Sequence, residues 1–172
     1  MKHSSALPVA WVTLRGLIFV NWVYGALILA LLLMSFQAEE WTLRALGVGS
    51  VAGHEGIVAG MRSIMVIGIV SVPIAFVVFN NLLRIIKSVR AGEPFMVENA
   101  GRLKAIAWAL LALEVLHVCV VAIASAVSTK EVPLRISGHL DLTGWLAILL
   151  LFVLAQVFLE GARMRDDLEG TV

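Results

Sequence analysis

Four long apolar runs organise the chain: Gly16–Phe36, Ile64–Leu83, Ala105–Val127 and Leu140–Leu159. Each approaches or exceeds the roughly 20 residues needed to cross about 30 Å of hydrocarbon. None carries the polar stripe of period 3.6 that marks a helix lying on a soluble core. In lipid, every backbone N–H and C=O must be satisfied within the segment, so runs of this kind must be helices. Charge brackets them: Arg15 before the first, Glu39 and Glu40 after it, Arg62 and Arg84 about the second. Lys104 and Lys130 flank the third, and Glu160 and Arg163 follow the fourth. The pattern predicts an all-α polytopic membrane protein: a single four-helix transmembrane domain over residues 1–172. The first run has an apolar core longer than the roughly 7–15 residues of a signal peptide, and no small-residue cleavage pattern follows it. It is expected to be a retained span.

Composition agrees. Hydrophobic residues make up 60% of 172 positions and charged residues 15%, against about half and about a quarter in a soluble domain. The formal net charge of +1 offers no footprint for direct nucleic-acid binding. The distribution of charge is more informative. Lys2, Arg15, Arg84, Lys87, Arg90, Arg102, Lys104, Arg163 and Arg165 fall in the two termini and the central loop; Arg44, Arg62, Lys130 and Arg135 fall in the other two loops. The positive-inside rule then predicts both termini and the central loop on the cytoplasmic side, N-in and C-in.

Trp11, Trp22, Trp41, Trp108 and Trp145 are assigned near span ends, where amphipathic rings favour the interface. Pro73 should kink the second span. Gly49, Gly53, Gly56 and Gly60, at intervals of four, three and four, read as a flexible outer loop, with a close-packing helix face as the alternative. Val132–Leu142 alternates apolar and polar residues and is expected to be a short extended piece. Asp141 is placed to cap the fourth helix. The single cysteine, Cys119, excludes an internal disulfide and is expected to be a buried, inert thiol.

Glu114 and His117 stand three apart in the third span, on one helix face. A charged group at mid-membrane costs at least about 2.5–3.5 kcal/mol, which makes the pair a candidate intramembrane polar site. Asn21 and Gln156 are candidate partners from the first and fourth spans. Two readings stand: a hydrogen-bonded structural pair facing the protein interior, or a proton- or ligand-sensing pocket. Two ligands do not make a metal site, and no nucleophile triad or phosphate loop is present. No metal, cofactor or enzymatic activity is expected. The alternative function is a small transporter or proton-pathway subunit using Glu114 and His117.

The central loop, "RAGEPFMVENAGRLKAIAW" over residues 90–108, stops one helix and starts another. Gly92 suits a helix C-cap and Pro94 cannot continue the ladder. Glu98 and Arg102 are spaced for an i,i+4 ion pair. Gly92, Pro94, Phe95, Glu98, Asn99, Arg102, Leu103 and Ile106 also fill a G-x-P-F-x-x-E-N-x-x-R-L-x-x-I pattern. Phe158, Gly161, Arg165, Asp166, Asp167, Glu169, Thr171 and Val172 fill an F-x-x-G-x-x-x-(R/K)-(D/E)-(D/E)-x-E-x-T-V ending. Together they resemble the bacterial four-helix membrane family known as domain of unknown function 2975.

The resemblance implies an integral protein of the bacterial inner membrane. It also suggests, by genetic association, a cytosolic helix-turn-helix regulator as partner. Pro94, Phe95, Glu98, Asn99, Arg102, Arg165, Asp166 and Asp167 form the candidate cytoplasmic interaction motif. An alternative role for the same residues is a clamp, with Glu98 and Arg102 ion-paired to Arg165 and Asp166 or Asp167. The lipid bilayer is the one partner the pattern itself requires; a homo-oligomer stays open.

Overall fold

A computed structural model describes residues 6–37, 55–128 and 142–169. Four helices account for almost all of them: α1 (Ala6–Gln37), α2 (Glu55–Arg90), α3 (Val97–Val127) and α4 (Leu142–Glu169). All four are long and apolar enough to cross a membrane, and there is no strand among the described residues. The chain is an all-α, multi-pass integral membrane protein. Each helix is longer than its apolar run. α2 begins nine residues before Ile64, because a helix need not stop where hydrocarbon does. The extended piece over Val132–Leu142, the Asp141 cap, Trp41, Gly49, Gly53 and Thr171 lie outside the described residues, apart from Leu142, which opens α4.

The chain forms two compact units. The first comprises 6–20, 74–114 and 142–169 of the described residues. Its centre is Val78 of α2 with Ile106 and Ala109 of α3, packed by Ile74, Leu82, Ile85, Leu110 and Leu151. Between α3 and α4 the contacts keep one antiparallel register. The Trp108 ring meets Phe152 edge-on, 5.4 Å between centroids, and Glu114 lies against Gly144.

The second unit comprises 21–37, 55–73 and 115–128 of the described residues. It is held by close approach. A Cβ on Gly25 would sit 2.9 Å from a Val72 methyl, one on Gly68 would sit 3.1 Å from Ile28, and one on Gly60 would sit 2.7 Å from Val127. Lipid is as apolar as leucine, so helices gain by intimate contact rather than by leaving water, and small residues permit it. The loop expected around the glycines is therefore corrected. Gly56 and Gly60 are helical, and Gly60 is a packing residue, whereas Gly56 faces open space.

Polar bonds to backbone reinforce this unit. Asn21 Nδ2 donates to the Val72 carbonyl at 3.0 Å, immediately before Pro73. Arg62 donates from Nε to Ser35 Oγ (2.9 Å) and from Nη2 to the Ser35 carbonyl (2.6 Å), with its guanidinium 4.4 Å above the Phe36 ring. It thus serves one of the last carbonyls of α1, which have no partner within the helix.

Large side chains cover the outside: Phe19, Leu27, Leu33, Phe36, Leu149 and Val153 are all exposed. In water such a surface would aggregate; against acyl chains it is the required one. Cys119 belongs to this surface and is exposed, so the expected burial is wrong: an apolar run does not separate lipid-facing from protein-facing positions. Trp22 sits near the middle of α1, since that helix starts ten residues before its apolar run.

Candidate functional site

The connector between α2 and α3 is built by local rules. Gly92 adopts φ +86°, a left-handed conformation that costs a Cβ-bearing residue roughly 1–2 kcal/mol. With that kink, the Gly92 N–H donates to the Val89 carbonyl (3.1 Å) and the Glu93 N–H to the Ser88 carbonyl (3.0 Å). This is the Schellman arrangement, which satisfies the terminal carbonyls of α2. It confirms Gly92 as the helix stop.

Asn99 holds the other side. It is 0% exposed and is the largest fully buried side chain among the described residues. Its amide Nδ2 donates to Ser88 Oγ at 2.7 Å and to the Pro94 carbonyl at 2.8 Å. Arg102 Nη1 donates to its Oδ1 at 2.7 Å. The Ser88 hydroxyl in turn donates to the Ile85 carbonyl at 2.8 Å. One amide thus ties the end of α2, the Pro94 turn and the first turns of α3. Each bond contributes about 1 kcal/mol net, and more would be lost by leaving its partner buried and unpaired. The sequence placed Asn99 in a polar loop, and nothing about an Asn among charges announces burial.

Phe95 leaves this turn and lies on α4. Its ring centroid is 5.3 Å from that of Phe158, tilted by 39°. Its Cδ1 stands 3.4 Å from where a Cβ on Gly161 would be. The two patterns picked out in the sequence, some 60 positions apart, therefore touch within the first unit through an aromatic residue of one and the Phe-x-x-Gly of the other. Tilted aromatic pairs add about 0.5–1.5 kcal/mol to the area they bury. Phe95 nevertheless keeps 48% of its surface exposed, so the ring belongs both to the junction and to the outer face.

The expected ionic clamp takes a different form. Arg102 turns to Asn99 rather than to Glu98, because a buried acceptor already fixed by its own two bonds is better organised than an exposed carboxylate. Glu98 is exposed in the first turn of α3, where its charge complements the helix N-terminus. Among the described residues neither forms an ion pair with the tail. Arg163 meets Glu160 at 3.7 Å, both well exposed. Arg165 and Asp167 are exposed and engaged in contacts of their own; the Asp166 side chain lies outside the described residues.

The candidate intramembrane residues are divided between the two units, Glu114 and Gln156 in the first, Asn21 and His117 in the second. Asn21 is committed to the Val72 carbonyl. Glu114 of the first unit points to the first turn of α4, its Oε2 3.4 Å from the Cβ position of Gly144. The free N–H groups there make that end of the helix electropositive. His117 belongs to the second unit and is exposed, contrary to the inward-facing pair expected. Gln156 lies twelve positions along α4 from Gly144, about 18 Å away at 1.5 Å per residue, beside Lys104.

No curated protein and no solved structure matches the chain. One family model does, over residues 39–172, a stretch that includes the connector, Phe95, Asn99 and the whole of α4. The chain belongs to the family described as "Protein of unknown function (DUF2975)".

Proposed function

We propose that this is a multi-pass protein of the bacterial inner membrane, N-in and C-in, which acts as a sensor or tether through the connector and tail. In this reading the patch around Phe95 and Phe158 faces the cytosol and docks a soluble partner such as a helix-turn-helix regulator. The single observation that supports it is the meeting of Phe95 with Phe158 and Gly161. Two segments remote in sequence make one composite surface, with exposed Glu93, Phe95, Glu98 and Arg163 around the junction. The concentration of Lys and Arg in the same segments favours the cytosolic side.

The test is gel filtration in mild detergent with a purified helix-turn-helix regulator from the same genome. Wild type should co-elute with it. Arg102→Ala, and truncation after Ala162, should abolish co-elution while membrane insertion persists. Unchanged association in both variants would defeat the proposal. Reporter fusions at Asn99 and Thr171 should report the same side of the membrane.

A further inference from the structure

The α3–α4 surface of the first unit carries a groove of about 220 Å³, lined by Lys104, Phe152, Val153, Ala155 and Gln156. Its walls are almost wholly apolar, but two polar groups stand on its rim. Lys104 and Gln156 are both exposed, and neither has a hydrogen bond or ion pair among the described residues. One helical turn further along each helix, Phe152, which lines the groove, meets Trp108 in a T-shaped pair.

The depth of these groups decides what can fill the groove. Gln156 precedes Glu160 by one turn, about 6 Å, and Glu160 with Arg163 marks where α4 leaves the apolar region. An amide at that level, facing lipid without a partner, carries an unmet hydrogen-bonding demand. Ester carbonyls of phospholipids lie at the same level. Lys104, on the polar side of the groove, can extend its ammonium to a phosphate while its methylenes remain against the apolar wall. Glu160 does not oppose this charge outright, because Arg163 sits 3.7 Å from it.

We propose that the groove binds one anionic phospholipid, with Lys104 on the headgroup phosphate, Gln156 donating to an ester carbonyl, and an acyl chain along Phe152 and Val153. A second copy of the chain fits less well. Isologous pairing through this face would set two Lys104 charges at the same depth on the two copies.

Native mass spectrometry of the full chain in mild detergent tests the site with dioleoylphosphatidylglycerol and dioleoylphosphatidylcholine as probes. Wild type should retain the anionic lipid in preference to the zwitterionic one, and glycerol 3-phosphate should not compete, since it offers the groove no chain. Lys104→Met should lower retention of phosphatidylglycerol about fivefold, the share expected of one basic residue near the headgroups, while Lys104→Arg keeps it. Gln156→Leu should lower retention of both lipids about fivefold, the loss expected for one hydrogen bond of about 1 kcal/mol. Three results would overturn the proposal: equal retention of the two lipids by wild type, competition by glycerol 3-phosphate, or a wild-type dimer that Gln156→Leu converts to monomer. The comparison of lipids on wild type needs no variant to fold.

Discussion

The connector end of the first unit and the glycine contacts of the second solve the same problem by opposite means. Around Asn99, helices are joined by a buried amide that reaches three partners and by a ring that settles on Phe158. Around Gly25, Gly60 and Gly68, they are joined by the absence of side chains, with Asn21 and Arg62 adding bonds to carbonyls. The first construction fails when a partner is removed. The second fails when atoms are added. The contrast reflects chemistry: a buried amide can lock a turn once all its bonds are made, whereas apolar helix faces in a membrane protein gain chiefly by close contact.

The contrast can be broken most directly at Asn99. Asn99→Ala strands the Arg102 guanidinium, the Pro94 carbonyl and an acceptor site on Ser88, and should cost about 3 kcal/mol, read as a fall in thermal midpoint of the detergent-solubilised protein. Next comes addition of bulk. Gly60→Leu drives a side chain into Val127 and should cost about 2 kcal/mol, whereas Gly56→Leu, facing open space, should leave the midpoint nearly unmoved. That pair of variants sharpens the claim that space, not flexibility, is what Gly60 provides. Phe95→Ala should cost about 1–2 kcal/mol, since half the ring is exposed already, and Phe95→Leu should recover part of it. Increased proteolysis at the connector is the local readout. The smallest effect belongs to Asn21→Leu, about 1 kcal/mol for one net bond. It should appear as faster amide exchange near Val72 and Pro73 rather than as a global change.

Much of the architecture was legible because it follows from length and chemistry that one stretch carries by itself. Twenty apolar residues dictate a crossing helix wherever they fall, and Gly92 followed by Pro94 ends one. Helix ends elsewhere were not legible: α2 starts at Glu55, since polarity marks the edge of hydrocarbon rather than the edge of hydrogen bonding. The interaction motif was visible as a pattern, but its internal logic was not. Glu98 and Arg102 have ideal spacing for a pair, and the guanidinium goes to Asn99 instead. The spacing rule concerns an isolated helix, and here a turn packed behind it supplies a better acceptor. Phe95 against Phe158 depends on how α4 runs past the connector, which no local window contains. His117 and Cys119 misled for one shared reason, that residence in an apolar run tells nothing of whether protein or lipid lies opposite.

The six residues between α2 and α3 have a consequence for how the protein is made. The last carbonyls of α2 find donors through Gly92 and Glu93, and the Pro94 turn is closed by an amide from the helix that follows it. Every bond needed to reverse the chain is thus supplied by residues 85–102, without help from any other segment. A ribosome that has emitted α3 has already emitted the whole hinge, so the second and third helices can enter the bilayer as a preformed hairpin. The fourth arrives later, to find Phe95 waiting.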